Sequence, residues 1–126
     1  MSADSASESH LLQAIMDTGR VEDFAGTTTD GKLHPILFMT NGLLPAQDSP
    51  SYQSVSIVVS DSEDVSIDGY TIIEITRYRR LKNKVDIRMQ CRNNKIRMKF
   101  KDQEDAWVLK SFKIRGKGKF IIDKEF

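Results

Sequence analysis

The stretch VDIRMQCRNNKIRMKFK, residues 85–101, decides what kind of fold this chain adopts. Two short runs in it alternate strictly between apolar and polar side chains, and a pair of asparagines separates them. Such alternation is typical of strands with one buried face, and Asn tolerates the positive φ that a two-residue turn requires. The stretch therefore predicts an antiparallel β-hairpin that turns at Asn93 and Asn94.

A turn at these asparagines sets a register in which like side chains face each other. The apolar rungs pair Cys91 with Ile96, Met89 with Met98, and Ile87 with Phe100. The polar rungs place Arg92 opposite Lys95 and Arg88 opposite Lys99. A shift by one residue would exchange the two faces, so the pattern specifies which side chains are buried. We expect a hairpin with one apolar and one strongly basic face.

The segments around this hairpin predict a helix and further strands. Residues 55–60 alternate like a strand, residues 70–78 are rich in Ile, Thr and Tyr, and residues 106–122 form a second candidate hairpin turning around Gly116-Lys117-Gly118. A short amphipathic helix is expected at about residues 6–18, with Gly19 as its C-terminal cap. The predicted fold is mainly β: an antiparallel small barrel or sandwich, the oligonucleotide-binding type of barrel included, of about six strands with one short N-terminal helix.

The length of 126 residues fits one domain. We expect residues 1–7 to be a disordered lead and residues 8–126 to form a single domain. No run approaches the ~20 apolar residues of a membrane-spanning helix, and the polar, acidic first residues do not resemble a secretory signal. The lone Cys91 has no partner for a disulfide, so the expected location is intracellular, cytoplasmic or nuclear.

Charge divides the chain into an acidic half and a basic half. Residues 1–70 hold two basic and eleven acidic side chains, whereas residues 71–126 hold seventeen basic and seven acidic ones. Eleven of those bases lie between Arg77 and Lys101, where Asp86 is the one acid. This asymmetry favours a polyanionic partner, and nucleic acid is the leading expectation, single-stranded rather than duplex.

The candidate nucleic-acid-binding residues come from this basic half. They are Arg77, Arg79, Arg80, Arg88, Arg92, Lys95, Arg97, Lys99, Lys117 and Lys119. Single-strand binders also use exposed rings on which bases stack, and the candidates here are Tyr78 and Trp107. Uninterrupted alternation would place Tyr78 on the same side as Ile72, and Trp107 and Phe112 on opposite faces.

The sequence favours no catalytic, metal or cofactor site. His10 and His34 are far apart and belong to no ligand-spacing motif, and Cys91 falls on the apolar face of the hairpin. The acidic residues 61–68 lack the ligand order of an EF-hand, and they are expected to form an exposed loop that shields the basic face. We therefore expect a protein that is not an enzyme and that needs no cofactor.

Two other binding functions fit the same charges. The chain could be a protein-interaction or assembly module (an adaptor, inhibitor or structural subunit) whose opposite poles meet an acidic protein surface or a second copy of itself. It could also attach to anionic lipid through the same lysines and arginines. Exposed aromatic rings beside the basic face would favour nucleic acid over both.

Overall fold

The computed structural model describes residues 7–61, 68–116 and 119–126, with the backbone alone at 119–121. A 3-10 turn at Glu8–His10 leads into helix α1 (Leu11–Asp17), which is followed by the single-turn helix α2 (Glu22–Ala25). The strands of the described residues are β1 (Ile36–Met39), β2 (Ile57–Ser60), β3 (Thr71–Leu81), β4 (Lys84–Cys91), β5 (Asn94–Gln103), β6 (Ala106–Gly116) and β7 (Lys119–Glu125). The prediction of a mainly β chain with a short N-terminal helix is confirmed.

All seven strands belong to one sheet, in the order β2-β1-β3-β4-β5-β6-β7. Strand β1 is parallel to both of its neighbours, whereas each strand from β3 to β7 is antiparallel to the next. The outermost strands, β2 and β7, do not pair with each other in the described part of the chain. The sheet is thus open, and the predicted closed barrel or sandwich is not confirmed.

Strands β3 to β7 form an antiparallel meander joined by tight turns. Two-residue connections occur at 82–83, 92–93 and 104–105, and Lys82, Arg92, Glu104 and Asp105 have positive φ there. Lys82 lies in the first of these turns, and Lys84 begins β4. Of the predicted turn around Gly116-Lys117-Gly118, Gly116 ends β6, and residues 117–118 lie outside the described part of the chain.

The predicted hairpin exists, but its register is wrong by two residues. Its turn lies at 92–93, and Arg92, with φ of +58°, takes the left-handed conformation assigned to asparagine. The apolar rungs are Val85 with Phe100, Ile87 with Met98, and Met89 with Ile96, and Cys91 pairs with Asn94 beside the turn. Because side chains alternate with period two, a shift of two leaves both faces unchanged. The observed register gives Val85 the apolar partner Phe100, where the predicted one would have given it Asp102.

The core lies between the N-terminal segment and one face of the sheet, here called the inner face. Helix α1 contributes Leu11, Leu12, Ile15 and Met16, which are fully buried. Gly19, at φ of +69°, ends this helix as predicted, and its N–H donates to the carbonyl of Met16. The sheet contributes the alternate apolar residues of β3 to β6. Neither helix of the described residues is long and apolar enough to cross a membrane.

Cys91 is buried on the inner face, as its register position predicted. Burial raises the pKa of its thiol to about 11, although the nearby charge of Arg92 acts in the opposite direction. A thiol with so high a pKa is almost entirely protonated at neutral pH and is a poor nucleophile.

Two β-bulges change which side chains share a face. One leaves Thr76 without a partner in β4, so that Tyr78 lies on the inner face with Ile75 and not with Ile72. The other leaves Lys110 without a partner in β5, so that Trp107 and Phe112 lie on the same side of β6 and not on opposite sides. The expectation of uninterrupted alternation is wrong at both places, because a bulge adds one residue to one strand and reverses the pattern beyond it.

Candidate nucleic-acid interface

The face of the meander that points away from α1, here called the outer face, is dominated by basic side chains. Most apolar residues of β3 to β6 lie on the inner face and most polar residues point outward, although Leu81 lies on the outer face and Arg80 on the inner face. Register and alternation place there Arg77, Arg79, Lys84, Arg88, Lys95, Arg97, Lys99, Lys101, Lys113 and Arg115. The acidic residues on the same face are Glu74, Asp86, Asp123 and Glu125.

Four of these bases form a line across four adjacent strands. Arg77 pairs with Arg88, Arg88 with Arg97, and Arg97 with Lys113. We call these four residues the central basic row. Neighbouring strands lie about 4.8 Å apart, so the row extends over roughly 14 Å. It ends at Asp123 of β7, which is the next partner of Lys113.

The central basic row is unfavourable for the folded chain by itself. Like charges directly opposite each other in a sheet destabilise the pairing by a few tenths of a kcal/mol or more. In addition, the Nε atom of Arg88 is buried and has no hydrogen-bond partner among the described residues. Leaving such a donor unsatisfied costs about 1–3 kcal/mol. An anion bound over the central basic row would reduce the first of these costs, the repulsion between like charges.

One carboxylate partly neutralises the centre of the face. Asp86 accepts hydrogen bonds from Nε (3.1 Å) and Nη2 (2.6 Å) of Arg97. Burial alone would raise the pKa of Asp86, but these hydrogen bonds and the charges of Arg97, Arg88 and Lys99 together lower it. The same hydrogen bonding raises the pKa of Arg97, against the effect of its own burial. Asp86 is therefore ionised at neutral pH and is already bound to one base.

Of the remaining acids of the outer face, Glu74 lies on β3 and accepts from Asn41, and the other two lie at the β7 edge. The Nζ of Lys113 is 4.0 Å from Asp123 and 3.9 Å from Glu125. No described acid forms a salt bridge with Arg77, Arg88 or Lys95. Within the central basic row, the described acids thus form salt bridges with Arg97 and Lys113 but not with Arg77 or Arg88.

A groove of about 440 Å³ runs beside Arg88 on the outer face. Its charged lining is entirely basic, and it consists of Arg88, Lys95, Arg97, Lys113 and Arg115. Thr76 and Gln90 add neutral hydrogen-bond donors. A concave site with five cations and two neutral donors is suited to anions that carry several oxygen acceptors, such as phosphates.

Six of the ten predicted basic residues lie together on the outer face: Arg77, Arg79, Arg88, Lys95, Arg97 and Lys99. Arg80 lies on the inner side of β3, where its guanidinium binds Glu8 and covers the ring of Trp107 at 5.5 Å. Arg92 lies in the 92–93 turn, and its guanidinium packs against Gly26. A Cβ atom added to Gly26 would lie 2.6 Å from Nη1 of Arg92. Lys117 lies outside the described residues, and at Lys119 the structure describes the backbone only.

Neither predicted stacking ring lies on the outer face. The hydroxyl of Tyr78 donates to Oε2 of Glu8 at 2.8 Å, and burial together with this hydrogen bond raises the pKa of Tyr78. The indole Nε1 of Trp107 donates to the carbonyl of Ser7 at 2.8 Å. Both rings thus hold the N-terminal segment on the inner side of the sheet, and their role in stacking stays a prediction.

Sequence reasoning left four outer-face bases out of the candidate set: Lys84, Lys101, Lys113 and Arg115. A signal for the last two was present, since Lys113 and Arg115 alternate with the buried Phe112 and Ile114. The pairing of Lys113 with Arg97 and of Arg115 with Lys95 could not be predicted from this alternation, because it depends on the pairing of β5 with β6.

The histidines and acids considered for metal binding are dispersed. The Nε2 of His10 lies 2.9 Å from Asp48, and His34 is exposed before β1. Within the described ranges, no three His, Cys, Asp or Glu side chains come together as a metal site. Of the predicted acidic loop, Asp61 and Asp68 are exposed, and residues 62–67 lie outside the described part of the chain.

Comparison with known proteins adds no assignment to this geometry. The chain matches no protein-family model, no curated protein and no solved structure.

Proposed function

We propose that the chain is a non-catalytic, intracellular nucleic-acid-binding domain that holds the sugar-phosphate backbone on its outer face, with little sequence specificity. The central basic row carries the proposal. Four bases stand directly opposite one another on adjacent strands, and the buried Nε of Arg88 has no partner among the described residues. A bound polyanion would supply counter-charge to Arg77 and Arg88, which form no salt bridge with a described acid.

A repeating phosphate ligand fits the dimensions of this surface better than a single small anion does. Bases cover about four strands in one direction and three or more rungs in the other, from Lys95 through Arg97 and Lys99 to Lys101. A chain of phosphates contacts such an area at several points and releases counterions at each one. Affinity gained in this way depends on phosphate and not on base sequence, which is the reason for expecting weak specificity.

The experiment compares the affinity of a labelled single-stranded oligonucleotide for two charge-reversed proteins by fluorescence anisotropy. Arg77→Glu/Arg88→Glu removes the two central bases that form no salt bridge in the described residues. Lys32→Glu/Lys124→Glu changes the net charge equally, at exposed sites that lie away from the outer face. We expect at least a tenfold loss for the first protein and less than a threefold loss for the second.

Both variants change exposed or half-buried polar positions, so circular dichroism should show an intact fold for each. Equal affinities of the two variants for the oligonucleotide would refute the outer face as the binding site. Failure of the unmodified protein to bind at low salt would refute nucleic-acid binding altogether.

The second candidate function is protein interaction through opposite charges. The acids of the N-terminal half are mostly exposed, among them Asp17, Glu22, Asp23, Asp30 and Asp48. Such an acidic surface on one copy could meet the outer face of another in a head-to-tail assembly. Sedimentation at low salt would show association that weakens as salt is added, and a monomer at all concentrations would exclude self-assembly.

A further inference from the structure

A second groove lies on the outer face, at the end formed by the 82–83 turn. It measures about 560 Å³, and its principal side chains are Leu81, Arg79, Lys84, Lys99, Lys101 and Lys110. This volume lies within the range of about 300–1,000 Å³ that is usual for small-molecule sites. The groove shares its side of the sheet with the central basic row, because Lys99 follows Arg97 by one outward position along β5.

The apolar side chain in this groove is unusually exposed. Leu81 ends β3 with 64% of its surface accessible, the highest value for a large apolar residue in the described part of the chain. A single exposed leucine needs no functional explanation by itself. Here, however, five bases line the same groove, so an apolar surface and a strongly basic surface are combined in one concave site.

Two acids also line the groove, and both already have partners. Asp86 is bound to Arg97, and Glu125 accepts from the hydroxyl of Ser111 and lies 3.9 Å from the Nζ of Lys113. The lysines around Leu81 are therefore left without an acid at salt-bridge distance in the described residues. These lysines line the same groove as the exposed Leu81.

We propose that this groove binds one unstacked base of a single-stranded nucleic acid, with Leu81 against the face of the base and the surrounding lysines on the flanking phosphates. The inference rests on the proposed function and adds a base subsite to it. Protein pockets hold bases between aromatic or other apolar side chains, and apolar residues such as Leu can pack against bases. A duplex keeps its base faces stacked, so the groove selects single strands.

The decisive probe is an oligonucleotide that has phosphates but no bases. An abasic strand and a normal thymidine strand of equal length offer the same charge to the lysines, and only the second offers a base to Leu81. We expect the unmodified protein to bind the normal strand about tenfold more tightly at one fixed salt concentration, within the range for base contacts. We also expect it to bind the single strand more tightly than the duplex.

Substitution of Leu81 should remove the difference between the two probes. In Leu81→Ser the affinity for the normal strand falls to that for the abasic strand, and the affinity for the abasic strand is unchanged. Leu81→Met keeps an apolar surface and should retain most of the difference. Leu43→Ser is the matched control, because Leu43 is also exposed, at 42%, and it lies in the connection between β1 and β2.

The outcomes separate this inference from the function on which it rests. Tight binding of both strands with equal affinity, or preferential binding of duplex, overturns the base subsite and leaves phosphate binding intact. A loss of affinity for both strands in Leu81→Ser also overturns it, because Leu81 would then act on the phosphate contacts. Absence of binding to either strand by the unmodified protein overturns both proposals.

Discussion

The two faces of the β3–β6 meander belong to the same alternating strands, but they differ in which side chains pair across the strands. On the inner face, apolar residues meet apolar partners across adjacent strands, for example Ile87 with Met98 and Met98 with Phe112. On the outer face, bases meet bases, as Arg88 does with both Arg77 and Arg97. Contacts between cross-strand neighbours stabilise the fold on the inner face, whereas contacts between neighbouring bases destabilise it on the outer face.

This difference separates the inner-face residues, which stabilise the fold, from the outer-face residues, which the fold exposes to possible ligands. Burial of the inner face stabilises the sheet, and nothing in that packing requires a basic outer face. Like charges that face each other across strands are expected where a ligand supplies the missing counter-charge. The outer face is therefore the place to look for function, and substitutions on the two faces should have separable effects.

The largest effect is expected on the inner face. Phe100→Ala removes a ring that is 1% exposed and paired with Val85 across the hairpin. Loss of a buried Phe destabilises a domain by about 3–5 kcal/mol. Urea unfolding measures the free energy of unfolding directly. A loss below 1 kcal/mol would contradict the assignment of this face as the core.

A smaller effect is expected at the ion pair between Asp86 and Arg97 on the outer face. Asp86→Ala removes two short hydrogen bonds to Arg97 from a partly buried site, and we expect a loss of about 1 kcal/mol at neutral pH. The same change adds net positive charge to the outer face, so the affinity for an oligonucleotide should rise. Unchanged stability together with unchanged affinity would contradict the role given to this pair.

The pH dependence of stability should report the same pair. The pKa of Asp86 is lowered in the folded protein, so its stabilising contribution is complete above its unfolded value of about 3.9 and is lost as the pH falls through the folded value. The difference in stability between the unmodified protein and Asp86→Ala should shrink as the pH falls below about 4. Denaturation curves across this range measure it, and a constant difference would contradict the lowered pKa.

The smallest effect on stability should have the opposite sign. Arg88→Gln removes the charge that faces both Arg77 and Arg97, and we expect the protein to become more stable by a few tenths of a kcal/mol. The affinity for an oligonucleotide should fall in the same variant. Repeated thermal melts at low salt can detect the gain. A clear loss of stability would show that Arg88 supports the fold and is not reserved for a ligand.

The sequence predicted the two faces of the β4–β5 hairpin, but not every residue that joins these faces from the neighbouring strands. Alternation assigns Met89 and Arg88 to opposite sides in any register that preserves the period of two, and for that reason the faces were correct while the register was not. The bulge at Thr76 has no clear sequence signal. It nevertheless determines that Tyr78 faces the core and that Arg77 joins the central basic row.

The arrangement of the first three strands was equally hidden. The parallel pairing of β1 with β2 and β3 depends on long connections, whose path cannot be read from local periodicity. The contribution of Lys113 required the pairing of β5 with β6, which is also a non-local fact. Local pattern thus specified which side chains point outward, and tertiary structure specified which of them meet.

The most direct test of the central claim is the salt dependence of oligonucleotide binding in the unmodified protein and in Arg77→Glu/Arg88→Glu. For single strands the slope of log affinity against log salt is about −0.7 for each phosphate neutralised. The account predicts a steep negative slope for the unmodified protein and a slope shallower by about 1.4 in the variant, because two phosphate contacts are lost. Parallel lines for the two proteins would contradict it.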